Sequence, residues 1–337
     1  MILIRAPFRI SFVGGGTDLP DFYRQYPGRV VSVTIDKFVF LVLNRTPLIN
    51  KISARYSIAE TVNHPSELQH TRIKAALVDL GIHNNLEIGS FASIPAKTGL
   101  GSSSSFSVAL IKGLYSYLGK KISGKELAEA ACRLEINLVG EPIGKQDQYA
   151  AAFGGFNIFQ FNGDESVDVK PILLDYKKRL GLENRILVFF TGITRSASSV
   201  LTSQKQNIGN KLETLKEMSD SAPEFSEKLL KGDYEGMGAM LHQGWLRKKS
   251  LTSNISNFLI YDLYSAGIKN GAWGGKILGA GGGGCVMFLT PVENKTAIRE
   301  AVKKVAQHYQ LNDFCEIPVR FTQSSCDILH KSEYFFS

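Results

Sequence analysis

Cysteine is scarce: four in 337 residues, at Cys132, Cys285, Cys315 and Cys326, with no CxxC pair and no metal-ligand spacing to any of the six histidines. That excludes a disulfide framework and a cysteine–histidine zinc site, and points to reduced thiols in a cytosolic protein. Long apolar runs are missing too. Segments such as 38–43 and 186–190 are strand-length, far short of the roughly 20 residues a membrane span requires. No apolar stretch of signal-peptide type follows Met-Ile-Leu-Ile-Arg, which argues against a signal peptide. Internal repeats and low-complexity segments are absent beyond short Gly and Ser runs. No basic cluster interleaves with aromatics; the densest basic stretches are Lys177-Lys178-Arg179 and Arg247-Lys248-Lys249. Nucleic-acid binding is therefore not expected, despite a net charge of +8. That mild excess suits a small anion such as a nucleotide or sugar phosphate.

What is present is ordinary globular composition, 44% hydrophobic and 21% charged, enough to exclude disorder. The length suggests two domains, placed at 1–177 and 178–337 from a composition shift after Asp164. Apolar, β-branched residues 2–13, interrupted by Pro7, predict an edge strand that enters Gly14-Gly15-Gly16. Further strands are predicted at 30–44, 86–92, 186–191, 285–290 and near 317–321. Phe106, Leu110, Leu114 and Tyr117 recur at helical spacing. Ser123 and Glu126 form a capping-box pattern, with Leu127, Ala131, Leu134 and Leu138 as the buried stripe behind it. A short helix is expected at 145–153, and longer ones at 200–218, 223–230, 258–269 and 296–309.

Three small-residue loops carry chemical information. Thr98, Gly99, Leu100, Gly101, Ser102, Ser103, Ser104 and Ser105 precede a helix. Glycines let a ligand approach, and the free N–H groups at a helix start attract anions. The loop thus suits nucleotide phosphates, or else is a flexible turn with a serine cap. It is not a Walker loop, because GxxxxGK[ST] does not occur. Gly279, Gly281 and Gly284 match GxGxxG, but a strand-like run follows instead of a helix, so dinucleotide binding is rejected. A tight bend between packed backbones is the alternative. The first loop, from Arg9 through Gly14, Gly15, Gly16 and Thr17 to Asp18, could grip sugar hydroxyls, or Asp18 could cap the turn at Leu19-Pro20. Glu135 flanks an apolar helical stripe, as either a solvated edge residue or an inward metal ligand. Asp147 sits among small residues, as either a substrate-facing group or a helix N-terminal charge.

In order and spacing these loops resemble the three motifs of the GHMP small-molecule kinases. Arg9-Ile-Ser-Phe-Val-Gly-Gly-Gly-Thr-Asp18 is the first, Gly99-Leu-Gly-Ser-Ser-Ser-Ser105 the second and Lys276-Ile-Leu-Gly-Ala-Gly-Gly-Gly-Gly-Cys285 the third. Within the family the resemblance runs to the D-glycero-D-manno-heptose 7-phosphate kinases, carried also by the stretches 140–155 and 192–199. Fucokinase domains typically have tryptophan at the third glycine of the first motif; Gly16 stands there instead.

The resemblance implies an α+β, two-domain fold: an N-terminal domain like ribosomal protein S5 domain 2 and a ferredoxin-like C-terminal domain. It implies ATP and Mg²⁺, with phosphoryl transfer to the anomeric hydroxyl of the heptose phosphate. Asp147 matches the catalytic aspartate and Arg9 the basic residue that polarises the attacking hydroxyl. Gly99 to Ser105 match the phosphate loop, with Gly281 and Gly282 in the loop that closes near the transferred group. Asp18, with Gly15, Gly16 and Thr17, matches the sugar-binding turn, and Ser103 and Glu135 match the Mg²⁺ ligands. Ser104 and Ser105 stand where mevalonate kinases usually have alanine, which shifts the serine ligand by up to one position. For the 7-phosphate, Arg195 is the first candidate, before Arg55, Arg72 and Lys249. A cytoplasmic enzyme of nucleotide-activated heptose synthesis, feeding lipopolysaccharide, capsule or S-layer glycan, is implied, with no membrane or nucleic-acid partner. The alternatives are a kinase for fucose or another hexose and a non-catalytic ATP/sugar sensor.

Overall fold

Alternating apolar residues build a long N-terminal strand pair, β1 (Ile2–Val13) and β2 (Gly28–Arg45), joined through a short helix α1 (Pro20–Tyr23). The computed structural model describes residues 1–194, 209–251 and 255–332. β3 (Ile52–Arg55), β4 (Ala59–Val62), α2 (Thr71–Asp79) and β5 (Leu86–Ala92) follow, then α3 (Ser102–Tyr117) and α4 (Gly124–Cys132). A π-helical turn (Arg133–Leu138) leads to α5 (Gln146–Phe153), β6 (Phe156–Phe161), β7 (Val167–Pro171), α6 (Tyr176–Glu183) and β8 (Ile186–Phe190). The remainder comprises α7 (Leu212–Lys231), α8 (Tyr234–Leu251), α9 (Phe258–Lys269), β9 (Gly274–Ile277), β10 (Cys285–Leu289), α10 (Lys295–His308), β11 (Cys315–Glu316) and β12 (Asp327–Lys331).

Two sheets result, in an α+β arrangement. The larger runs β12-β1-β2-β5-β3-β4, and β2 divides its free edge, pairing β6 along its first half and β5 along its second. The smaller is antiparallel, in the order β11-β8-β10-β9. α3 packs on β1 and β2, and α8 packs on β9. The two halves meet through aromatic rings: Phe225 of α7 lies 5.3 Å, centroid to centroid, from Phe12 of β1, which also stacks near Phe156. All four cysteines are free thiols, three buried and Cys315 exposed.

Several sequence expectations are corrected. β1 is not an edge strand: β12 covers one side and β2 the other, and Pro7, which lacks an N–H, sits at a slip in the β1–β2 register. Residues 317–321 form no strand beyond an isolated bridge from Phe321 to Ile35; the two-residue β11 precedes them, and the last strand is β12. Because β12 rejoins the first sheet, the division at 177/178 does not separate two contiguous units, and it cuts through α6. Helices expected at 200–218 and 223–230 are one helix from Leu212 onward, running through Pro223, while 200–208 lie outside the described residues. α8 was not expected at all. Its glycines obscure the pattern, yet Gly238 is where the helix meets β9: a Cβ there would come within 2.4 Å of Trp273 Cβ. The capping box forms as predicted, with Glu126 N donating to Ser123 Oγ at 3.3 Å and Ser123 N to Glu126 Oε2 at 2.8 Å. The π-helical turn after it widens the helix, turning Glu135 inward and leaving Leu138 39% exposed, outside the expected stripe.

Phe225→Ala should remove the ring that joins the two halves and cost about 3–5 kcal/mol. Urea denaturation checks this; a loss below about 1 kcal/mol would mean that the contact with Phe12 is not close-packed.

Candidate active site

Two glycine loops lie back to back and form the floor of a cleft. Gly99 has φ +83°, and a Cβ there would come within 2.4 Å of Leu278 O. Gly279 has φ +72°, and a Cβ would come within 2.7 Å of Gly99 Cα. Only glycine allows this approach in this backbone conformation. The bend between packed backbones considered from sequence is therefore real, and it also shapes a site: Gly279, Gly281 and Gly283 line the cleft.

Arg9 projects from β1 into that floor. It is buried, and its guanidinium grips Asp147 at the start of α5 bidentately, Nε to Oδ1 at 2.8 Å and Nη2 to Oδ2 at 2.9 Å. Its Nη1 donates to Gly99 O at 2.7 Å and its backbone N to Leu100 O at 2.9 Å. One side chain thus fixes α5 and the second loop to β1. The planar fork of arginine makes this possible.

α3 starts at the second loop with Gly101 as N-cap and no side-chain cap. The first-turn amides of a helix have no intrahelical partner, so these face the cleft beside Ser102, Ser103 and Ser104 as anion donors. Asp18 is buried against Gly144 and accepts from Gly16 N (3.1 Å), Gln146 Nε2 (2.9 Å) and Gln146 N (3.2 Å). Burial, with Asp147's charge second, pushes its carboxyl above the usual aspartate range. It does not cap α1, whose N-cap is Leu19 with no side-chain bond. Gly15 and Gly16 also line the cleft.

Five of the expected residues do not reach the cleft. Leu100 is fully buried. Ser105 turns its hydroxyl to Pro7 O at 2.7 Å. Thr17 spends its hydroxyl on Gly14 O and Arg29 O, holding the turn. Gly282 N donates to Ile255 O at 2.9 Å, away from the cleft. Glu135 is fully buried: Oε1 accepts from Arg72 Nε and Ser107 Oγ, both at 2.9 Å, and Oε2 from Gln148 Nε2. Ser103 lines the cleft, while the Glu135 carboxylate behind it is taken up by Arg72, Ser107 and Gln148. Among the described residues there is no group of three or more His, Cys, Asp or Glu side chains that could hold a metal.

Arg195 lies outside the described residues. Arg55 pairs with Glu87 at 3.2 Å on the surface, and Lys249 lies over the rings of Trp245 and Tyr261. Arg72 does line the cleft, bridging Glu135 and Glu141. Sequence reasoning missed Lys97, Glu141, Gln146, Lys248 and Lys276. Lys276 opens the third motif and could have been found there. Lys248 was hidden in a basic run on the unrecognised helix α8.

Arg72→Ala should leave the buried Glu135 without its cation and cost about 3 kcal/mol. Arg72→Lys should recover only part, because an ammonium cannot bridge two carboxylates as a fork does. Chemical denaturation of the three proteins checks this; equal stabilities would refute it.

The GHMP kinases N terminal domain model matches residues 69–155, which hold the phosphate loop and Asp147; the GHMP kinases C terminal model matches residues 225–311, which hold α8 and the third glycine loop. The D-glycero-alpha-D-manno-heptose 7-phosphate kinase of Campylobacter jejuni is 29% identical over 92% of this chain and 95% of its own. The bifunctional fucokinase/GDP-fucose pyrophosphorylase of Arabidopsis thaliana is 26% identical over 92% of this chain, which spans 31% of that protein. The crystal structure of a D-glycero-D-manno-heptose 1-phosphate kinase from Bacteroides thetaiotaomicron superposes with a TM-score of 0.80, covering 99% of this chain and 100% of that one, at 23% identity, a likeness of fold. No helix of the described residues is long and apolar enough to cross a membrane. The two domain models fall in their expected order, each holding one of the two glycine loops that meet at the cleft, and the chain belongs to the GHMP kinase family.

Proposed function

We propose that the chain transfers the γ-phosphoryl of ATP to the anomeric hydroxyl of D-glycero-D-manno-heptose 7-phosphate. The observation that carries this reading is the bidentate Arg9–Asp147 pair beside the uncapped start of α3. Phosphoryl transfer needs alignment and charge neutralisation more than covalent chemistry. The amides of Ser102 to Ser104 hold phosphate oxygens at the helix start. Asp147, fixed by Arg9, accepts the sugar hydroxyl's hydrogen bond and orients its oxygen at phosphorus. A new O–P bond forms as the bond to the β-phosphate oxygen breaks, ADP leaves, and the proton passes through Asp147 to solvent. Asp18 and the open turn at Gly15 and Gly16 face the sugar. Ser103 on the cleft lining would meet a magnesium ion brought with ATP, whose charge would offset that of the phosphates.

The heptose reading draws support from the 29% identity to the Campylobacter jejuni enzyme over nearly both chains. Arg195 remains a candidate for the 7-phosphate. Kinase activity on fucose has a weaker claim, since Gly16 leaves open the position that fucokinase domains fill. The sensor reading sits poorly with an intact Arg9–Asp147 pair.

Asp147→Asn should lower kcat by about 10²-fold or more while sparing ATP affinity. ADP release with MgATP would be measured on the heptose 7-phosphate, mannose 6-phosphate, fucose and galactose. Near-normal turnover in the mutant would sink the role of Asp147; wild-type preference for an unphosphorylated sugar would sink the heptose phosphate.

A further inference from the structure

The cations that line the cleft are not equivalent. Arg9 is committed to Asp147 and Gly99 O. Arg72 is committed to Glu135 and Glu141. Lys276 on β9 donates to Ser11 O at 2.9 Å and Phe12 O at 2.8 Å, tying the third loop's strand to β1. Lys248, near the end of α8, is different. It is 5% exposed and lines the cleft, and among the described residues its ammonium donates to a single acceptor, Gly279 O, on the glycine loop that packs against Gly99. No carboxylate of the described residues forms an ion pair with it. An ammonium has three donors, so two are uncommitted.

The charged groups facing Lys248 are Arg9 from β1, Asp18 from the first loop, Asp147 from α5 and Lys276 from β9. All of them line the same cleft as Lys248, the Arg9–Asp147 pair included. A buried, unpaired ammonium is costly unless an anion arrives to balance it. Burial first, and Arg9's charge second, lower its pKa to about 8 against the pull of Asp18 and Asp147.

We propose that Lys248 is a phosphate-binding residue of the reaction centre, its free donors taking oxygens of a phosphate dianion beside Asp147. This rests on, and deepens, the phosphotransfer reading above. The dianion has two sources, the γ-phosphoryl in transfer and the phosphate already carried by the sugar. Lys248 contributes by charge and position in either case; it forms no covalent bond and passes no proton.

The test uses Lys248→Met, which keeps the length of the side chain and removes the charge. Deleting an unpaired buried ammonium should leave the melting temperature unchanged or raised, which doubles as the folding control. Inorganic phosphate, against chloride at equal ionic strength, should raise the melting temperature of the wild type and raise it less than half as much in Lys248→Met. Equal shifts in the two proteins overturn the proposal without any reference to turnover. In steady state kcat/KM should fall about 10²-fold. A fall confined to kcat, or a rise confined to KM for ATP, assigns the γ-phosphoryl; a rise confined to KM for the sugar phosphate assigns the acceptor's phosphate. A change within twofold on every parameter overturns the role.

The pH profile gives a third reading. Wild-type kcat/KM should fall above about pH 8 as the free ammonium loses its proton, while kcat holds to higher pH because a bound dianion keeps that proton. The residual activity of Lys248→Met should lack this limb, and an unchanged limb overturns the assignment. Wild-type protein that shows the phosphate shift but turns over no sugar phosphate would instead overturn the proposed acceptor alone.

Discussion

The pairing of Arg9 with Asp147 is the constraint around which the cleft is arranged. It joins residues 138 apart in sequence, one in the longest-range sheet of the molecule and one at the start of a short helix. Partly buried ion pairs are weak sources of stability, since desolvation offsets much of the attraction. Their value is directional. The fork of Arg9 sets the orientation of the Asp147 carboxylate, and its third nitrogen holds Gly99 O, so the carboxylate and the phosphate loop share one anchor. Any shift of β1 relative to α5 would disturb both together.

Around this pair the cleft keeps an excess of positive charge. Asp18, Glu141 and Asp147 are outnumbered by Arg9, Arg72, Lys97, Lys248 and Lys276. Most of these cations are spent on carboxylates or backbone carbonyls, which positions loops and helices. Lys248 is the buried lysine bound to a single acceptor among the described residues, and the glycine loop that accepts from it lies against the phosphate loop. The charge excess of the whole chain, read as a bias toward anionic ligands, is thus expressed locally where a phosphate would sit.

The glycine loops show how similar short patterns reach different ends. The loop at Gly99 and Gly101 opens onto a helix, and its amides remain available to the cleft. The loop at Gly279 to Gly284 opens onto a strand and gives its close approaches to backbone, with Gly281 and Gly283 left on the wall. The element on the C-terminal side of a glycine run decides its use, because only a helix start leaves several unpaired amides pointing one way.

Local sequence determined much of this. Strands β5 and β10, helices α3 and α9, and the capping box at Ser123 were legible because periodicity and capping are set by neighbours in sequence. The clustering of Arg9, Asp18, the serine loop and Asp147 was legible only through the combined motifs, each loop alone being ambiguous. Tertiary structure decided the rest. Whether β1 is an edge or an interior strand depends on β12, more than three hundred residues away. Whether Glu135 faces a ligand or the interior depends on a π-helical turn and on Arg72, Ser107 and Gln148 from three other segments. Lys248 became visible only once α8 packed its glycine face on β9 and carried that side chain to Gly279 O. Such contacts depend on packing between distant segments, and no local pattern of residues encodes them.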